Sequence, residues 1–242
     1  MNGHPPKTFL SAEWRWLAML NYEIAPQILA PFVPAGTELD SWNETTFASM
    51  VGFMFLKTRG KGIPIPFHQN FEEVNLRFYV RRKADDGWRR GVVFIKEIVP
   101  RSAIAFVAQN FYNENYVALP MSHQLKLAGE NPKSIRYAWQ FKGREHFMQI
   151  ETTGTAQPLA EGSLPEFIAE HYWGYARQRD GSTMEYRVEH PRWNALAAES
   201  AKLDCDATGL YGEVFGECLN QPPASAFLAD GSTVTVSDGM KL

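Results

Sequence analysis

Residues 73–100 read EVNLRFYVRRKADDGWRRGVVFIKEIVP, and the reading of this stretch decides the fold. Its first half alternates cleanly. Val74, Leu76, Phe78 and Val80 fall on one face of an extended strand, and Asn75, Arg77, Tyr79 and Arg81 on the other. Asp85-Asp86-Gly87 supplies a turn and the chain returns over 88–100, so the stretch is a β-hairpin. The returning strand is apolar on both faces yet carries Lys96 and Glu97. Strict alternation places Lys96 with Val92, Phe94 and Ile98, and Glu97 with Val93, Ile95 and Val99.

Leaving either charge bare between two covered faces is expensive. Desolvation lowers the proton affinity of a buried lysine, and a neutral amine can attack a carbonyl to form a Schiff base. Lys96 and Glu97 are therefore candidate catalytic residues. The alternative is structural: Lys96 snorkels to solvent or pairs with an acid such as Glu73. Arg77 and Arg101 have the same two readings, as bidentate carboxylate ligands or as solvated surface groups.

Outward from the hairpin the chain stays strand-rich. Residues 47–56 form a buried strand in which Gly52 marks a bulge or a close backbone approach. The loop 60–66 is apolar enough to pack against something. Residues 11–20 suit a helix or a strand, the strand setting Trp14, Trp16 and Ala18 on one face. A short helix with proline in its first turn fits 25–30. Alternation over 134–142 and a partner at 147–156 give two further strands, with others at 184–189, 210–215 and 233–236. Helices are expected over 102–110, over 164–172 behind the Ser163 cap and Pro165, and over 193–202. Residues 110–123 read as a packed loop, and Tyr112, Asn113, Tyr116, Met121 and His123 are candidate lining residues. The alternative is a connection whose tyrosines fill the core. Many strands, few helices and no regular strand–helix alternation make an α+β fold, with an antiparallel or mixed sheet that is closed or nearly closed. One domain over 1–242 is expected, with a loose tail at 1–7.

The composition narrows the function. Of 242 residues 45% are hydrophobic and 21% charged, the balance of a soluble globular protein. A formal charge of -3 with interspersed signs excludes a nucleic-acid footprint. No apolar run is long enough to span a bilayer, and no signal segment opens the chain, so no membrane partner and a cytoplasmic location are expected. Two cysteines, Cys205 and Cys218, imply no disulfide framework. The chain carries no phosphate-binding glycine loop, no His-Glu-x-x-His and no nucleophile elbow. Its six scattered histidines make no metal signature, so neither metal nor cofactor is expected. Sixteen Phe, nine Tyr and seven Trp suit a ligand cavity, a sheet core or a subunit contact; a homo-oligomer stays an open expectation.

Several runs together carry a resemblance. GIPIPFHQNFEEVN at 62–75, then LRFYVRR, GVVFIKEIVPR, YNENYVALPM, EFIAEHYWGY and VEHPRW in order, resemble the YqjF-like family of uncharacterised bacterial proteins, a domain of unknown function. The likeness runs from about Phe9 to near the C-terminus. It implies the acetoacetate decarboxylase-like fold: a curved sheet closing into a barrel-like core around a cavity, with a few flanking helices. Enzymes of that superfamily decarboxylate β-keto acids through a Schiff-base lysine beside a second lysine. This chain has no Lys-Lys pair, and the comparable place near 118–123 holds no lysine before Lys126. The expectation is a protein that binds a small organic carboxylate or carbonyl compound in the cavity. The alternatives are a keto-acid lyase using Lys96, and a structural or interaction protein whose cavity is filled.

Overall fold

The computed structural model describes residues 7–66, 68–100, 115–129 and 131–242. The helix expected over 102–110 and the candidates Arg101, Tyr112 and Asn113 lie outside them.

The ambiguous first segment is a strand, β1 (Thr8–Glu23), followed by the short helix α1 (Pro26–Leu29) with its proline at the start. Next come β2 (Glu38–Leu39), β3 (Phe47–Gly60), β4 (Ile63–Pro64) and the hairpin β5 (Phe71–Ala84) and β6 (Gly87–Val99). Within the expected packed loop, residues 116–118 and 121–123 are instead extended, in β7 (Tyr116–Ala118) and the start of β8 (Met121–Ala128), which lead into β9 (Asn131–Phe141) and β10 (Arg144–Pro158). The helix α2 (Leu164–Ala169) has the expected cap, with Ser163 Oγ accepting from the Glu166 amide at 3.3 Å. It precedes β11 (Trp173–Arg177), β12 (Thr183–Glu189) and β13 (Asn194–Asp204). Two helices, α3 (Ala207–Tyr211) and α4 (Glu213–Leu219), break at Gly212, whose φ of 91° favours glycine. The chain ends with β14 (Ser225–Ser237) and β15 (Met240–Lys241).

Two expectations are corrected here. Residues 193–202 are a strand, because β13 is hydrogen-bonded to β10 on one side and β14 on the other, and that pairing overrides the helical preference of an alanine-rich run. Residues 210–215 are helical, not extended.

The strands form one mixed sheet. Its path passes through β12, β11, β6, β5, β3, β1 and β14, and a further pairing of β12 with β14 closes these seven strands into a ring. Pairing is antiparallel except where β6 meets β11 and β7. Beyond β14 the sheet continues through β13, β10 and β9 to β8. This arm lies over the outer face of the ring. Tyr137 of β9 donates to the Trp16 carbonyl of β1 at 2.9 Å, and a methyl at Gly52 of β3 would meet the Tyr137 ring at 2.6 Å. Gly52 thus marks a close approach, as its place in the strand implies.

Among the described residues two large hydrophobic cores follow from this layering, with a small third cluster around Tyr186 and Val188. One lies between the ring and the arm and holds Leu20, Met50, Leu76, Phe78, Tyr137, Trp139 and Ile150, with residues of α3 and α4 at its end. The other lies on the opposite face of the ring strands and includes Met19, Val51, Phe53, Phe71, Tyr79 and Phe167. Two irregularities decide which residues enter which core. In β1 the register against β3 shifts between Arg15 and Ala18, with Trp16 at φ 55°. Trp14 and Leu17 consequently face the second core, whereas Trp16 and Ala18 belong to the first, and the expected common face of Trp14, Trp16 and Ala18 is lost. The other irregularity lies in β6.

Candidate functional site

In β5 the alternation of the sequence is realised without interruption. Val74, Leu76, Phe78 and Val80 enter the core beneath the arm, while Glu73, Asn75 and Arg77 point to the other face. In β6 it is interrupted. Leu76 pairs with Lys96 but Arg77 pairs with Phe94, so Ile95 is an extra residue, a β-bulge. Asn115 fixes the bulge: its Nδ2 donates to the Ile95 carbonyl at 3.0 Å and its own carbonyl accepts from the Glu97 amide at 3.0 Å.

The bulge reverses the expected faces. Glu97 joins Val92 and Phe94, while Lys96 turns to the side of Val93 and Ile95. The Lys96 amine donates to the Leu210 carbonyl of α3 and lies 5.9 Å from the centre of the Tyr211 ring. Burial lowers its proton affinity.

The face that gains Glu97 lines a cavity of about 530 Å³ inside the ring, and all seven ring strands contribute to its wall. The wall is aromatic: Trp14, Phe53, Phe55, Phe71, Phe94 and Trp173 line it, with Phe55 stacked on Phe71 at 4.6 Å. The apolar loop after β3 also contributes, through Ile63 and Ile65.

A polar patch interrupts the aromatic wall. Asn75 sits opposite Glu97 in the β5–β6 register and donates to Glu73 Oε1 at 2.9 Å. Tyr116 donates to the other oxygen of Glu73 at 3.4 Å. Arg77 lies against Tyr79, its guanidinium carbon 5.8 Å from the ring centre, and its Nη2 donates to the Ile168 carbonyl of α2 at 3.5 Å. His171 follows α2 and packs on the same Tyr79 ring at 4.6 Å and on Phe167 at 5.4 Å. Glu73, Asn75, Arg77, Glu97 and His171 are all buried.

Behind His171 stands a charged support. Its Nε2 lies 3.5 Å from Asp40 Oδ2, an ion-pair distance rather than a close hydrogen bond, and that carboxylate oxygen accepts from Arg90 Nε at 2.6 Å. Burial pushes the Asp40 carboxyl up, but hydrogen bonding and charge from His171 and Arg90 outweigh it and hold the group at about 2. Burial pushes the His171 imidazole down to about 4; Arg90 and Arg77 add to the fall and Asp40 opposes it. At neutral pH the patch therefore carries a neutral imidazole backed by an ionised carboxylate.

Of the residues singled out in the sequence, the cavity brings together Glu73, Arg77, Glu97 and Tyr116. Lys96, Met121 and His123 do not line it. Met121 packs against the core beneath the arm, and His123 Nδ1 lies 2.7 Å from Glu72 Oε1. Asn75 and His171 are additions. Asn75 was visible in the alternation of β5, but a lone histidine after a six-residue helix gives no local signal. Among the described residues no cluster of three or more His, Cys, Asp or Glu side chains could hold a metal, and both cysteines are free thiols. No helix there is long and apolar enough to cross a membrane.

Known proteins match this chain at three levels. Among solved structures, an acetoacetate decarboxylase from Legionella pneumophila subsp. pneumophila superimposes with a TM-score of 0.68 at 12% identity, over 100% of this chain and 92% of its own. The enduracididine biosynthesis enzyme MppR complexed with pyruvate gives 0.66 at 10% identity, over 98% and 91%. An acetoacetate decarboxylase-like enzyme from Sphingomonas wittichii RW1 gives 0.65 at 11%, over 97% and 93%. At these identities the likeness is one of fold. In sequence, the uncharacterized protein YqjF of Bacillus subtilis (strain 168) is 27% identical over 207 residues, 81% of this chain and 80% of its own length. The family model DUF2071, described as an uncharacterized conserved protein (COG2071), matches residues 11–233. With nearly its whole length matched by that model, the chain, whose fold is like that of acetoacetate decarboxylase, belongs to the YqjF/DUF2071 family.

Proposed function

We propose that the ring acts as a barrel-like container for a small organic molecule with an apolar body and a carboxylate or carbonyl head. The observation that carries this reading is the cavity of about 530 Å³, aromatic over most of its wall and polar where β5 and β6 face it. The volume is in the range of small-molecule sites, and mostly apolar walls with a few convergent polar groups are their usual form. Arg77 supplies the guanidinium that a carboxylate or a carbonyl oxygen accepts from. That MppR, on the same fold, has been solved with pyruvate supports a small oxygen-rich head.

The test is calorimetric titration of the purified chain with small aryl carboxylates, aryl ketones, amines and hydrocarbons. Carboxylates or ketones are expected to bind and to raise the melting temperature. Arg77→Met is expected to weaken carboxylate binding by about 10- to 100-fold, the worth of a hydrogen bond to a charged group. Binding confined to amines or hydrocarbons, or carboxylate binding indifferent to Arg77→Met, refutes the proposal.

A further inference from the structure

Among the buried polar atoms of cavity residues that have no hydrogen-bond partner among the described residues, Trp14 Nε1 and Thr58 Oγ1 included, three belong to the polar patch: Asn75 Oδ1, Arg77 Nε and His171 Nδ1, the ring nitrogen away from Asp40. Such atoms are rare in folded proteins, because each forfeits the hydrogen bonds it makes in water. Three on the wall of one cavity point to a ligand that completes them.

Their roles can be assigned. Asn75 Nδ2 donates to the Glu73 carboxylate, which fixes the amide orientation and leaves Oδ1 as an acceptor. His171 is neutral, and the Asp40 carboxylate on its Nε2 side favours the proton there, so Nδ1 is left as an acceptor too. Arg77 Nε can only donate. Arg77 and His171 are neighbours, since both lie against Tyr79 and Arg77 also reaches the Ile168 carbonyl three residues before His171. Asn75 is two residues from Arg77 on the same strand face.

One donor and two neutral acceptors therefore await a head that presents an acceptor and a neutral donor side by side. A plain carboxylate or ketone satisfies Arg77 and leaves Asn75 and His171 unmet. We infer that the ligand of this cavity is a hydroxycarboxylate, its carboxylate received by Arg77 and its hydroxyl donating to Asn75 Oδ1 or His171 Nδ1. The inference deepens the proposed function and rests on it. The aromatic wall then holds the body of the acid, so an aryl hydroxycarboxylate is the natural probe.

The experiment compares four acids of one skeleton on the full chain by calorimetry: 3-phenylpropanoate, 2-hydroxy-3-phenylpropanoate, 2-oxo-3-phenylpropanoate and phenylalanine. The hydroxy acid is expected to bind about tenfold more tightly than each of the other three, the worth of one well-placed hydrogen bond. Asn75→Leu and His171→Phe, made singly, are each read by the ratio of the hydroxy acid to the plain acid; at least one is expected to bring that ratio close to one. Equal affinity for the hydroxy and plain acids overturns the inference while leaving the proposed function standing. Preference for the oxo acid or for phenylalanine overturns it likewise. If none of the four binds, the carboxylate reading fails and the inference with it. The wild-type comparison decides the matter even where a variant does not fold.

Discussion

Acidification should weaken this protein through His171 before most of its carboxylates titrate. The imidazole is buried beside Tyr79 and Phe167, with Arg90 and Arg77 adding positive charge, and its pKa is about 4 against an ordinary 6.5. The unfolded chain thus binds the proton more readily than the folded one. The stabilising contribution is complete above the unfolded value and is lost as pH falls from 6.5 toward 4. Linkage across those two values gives a loss of about 2 kcal/mol between pH ~7 and pH ~5, and about 3 kcal/mol by pH ~4. That is a substantial share of the stability of an ordinary domain. His190, stacked between Tyr172 and Trp193, is also pushed down by burial and adds a loss of the same sign. The Asp40 carboxyl contributes only below its ordinary 3.8, as pH falls toward 2. The assay is urea unfolding at several pH values between ~7 and ~5, where the Asp40 loss has not begun, on the wild type and on His171→Gln, both of which keep the His190 contribution. The wild type should lose stability steeply and the variant by about 2 kcal/mol less over the same range. A variant whose pH slope matches the wild type would show that His171 is solvated or already protonated, and would refute the burial argument.

Three further outcomes follow from packing and placement. Gly52→Ala inserts a methyl 2.6 Å from the Tyr137 ring and 2.8 Å from the Met148 sulfur, and Tyr137 is tethered to the Trp16 carbonyl. A cost of about 1–3 kcal/mol is expected by denaturant unfolding, and an unchanged midpoint would mean that the arm yields freely. Lys96→Met removes an amine directed at Leu210, so affinity for a carboxylate ligand should stay within about threefold of wild type, since no contact to the ligand is lost. The same placement predicts no borohydride-trapped adduct on Lys96 with keto acids; a trapped adduct would show that the amine reaches the cavity.

Much of the fold was legible because it was local. The alternation of β5 and the Asp85-Asp86-Gly87 turn gave the hairpin, Ser163 and Pro165 gave the start of α2, and Gly52 gave the close approach. Residues 193–202 misled because their alanine-rich run suits a helix in isolation, and only the β10 and β14 edges on either side make it a strand. Along β5 the shared face of Glu73, Asn75 and Arg77 was legible in the alternation, although Asn75 was not singled out on it. It was not legible along β6, because nothing in GVVFIKEIVPR announces that Ile95 is the extra residue. His171 was out of reach for a different reason. Its role depends on Asp40, 131 positions earlier, and on Arg90 in another strand.

The bulge at Ile95 has a consequence for the chemistry open to this fold. Lys96 and Glu97 are consecutive, and a single uncounted residue ahead of them selects which one meets the cavity. Were Ile95 paired in the ladder without a bulge, strict alternation would turn the amine inward and the carboxylate out. An acid-lined container and an amine-lined one are thus separated by a one-residue shift of register, with the Asn115 clasp on the Ile95 carbonyl holding the chain to the acidic version.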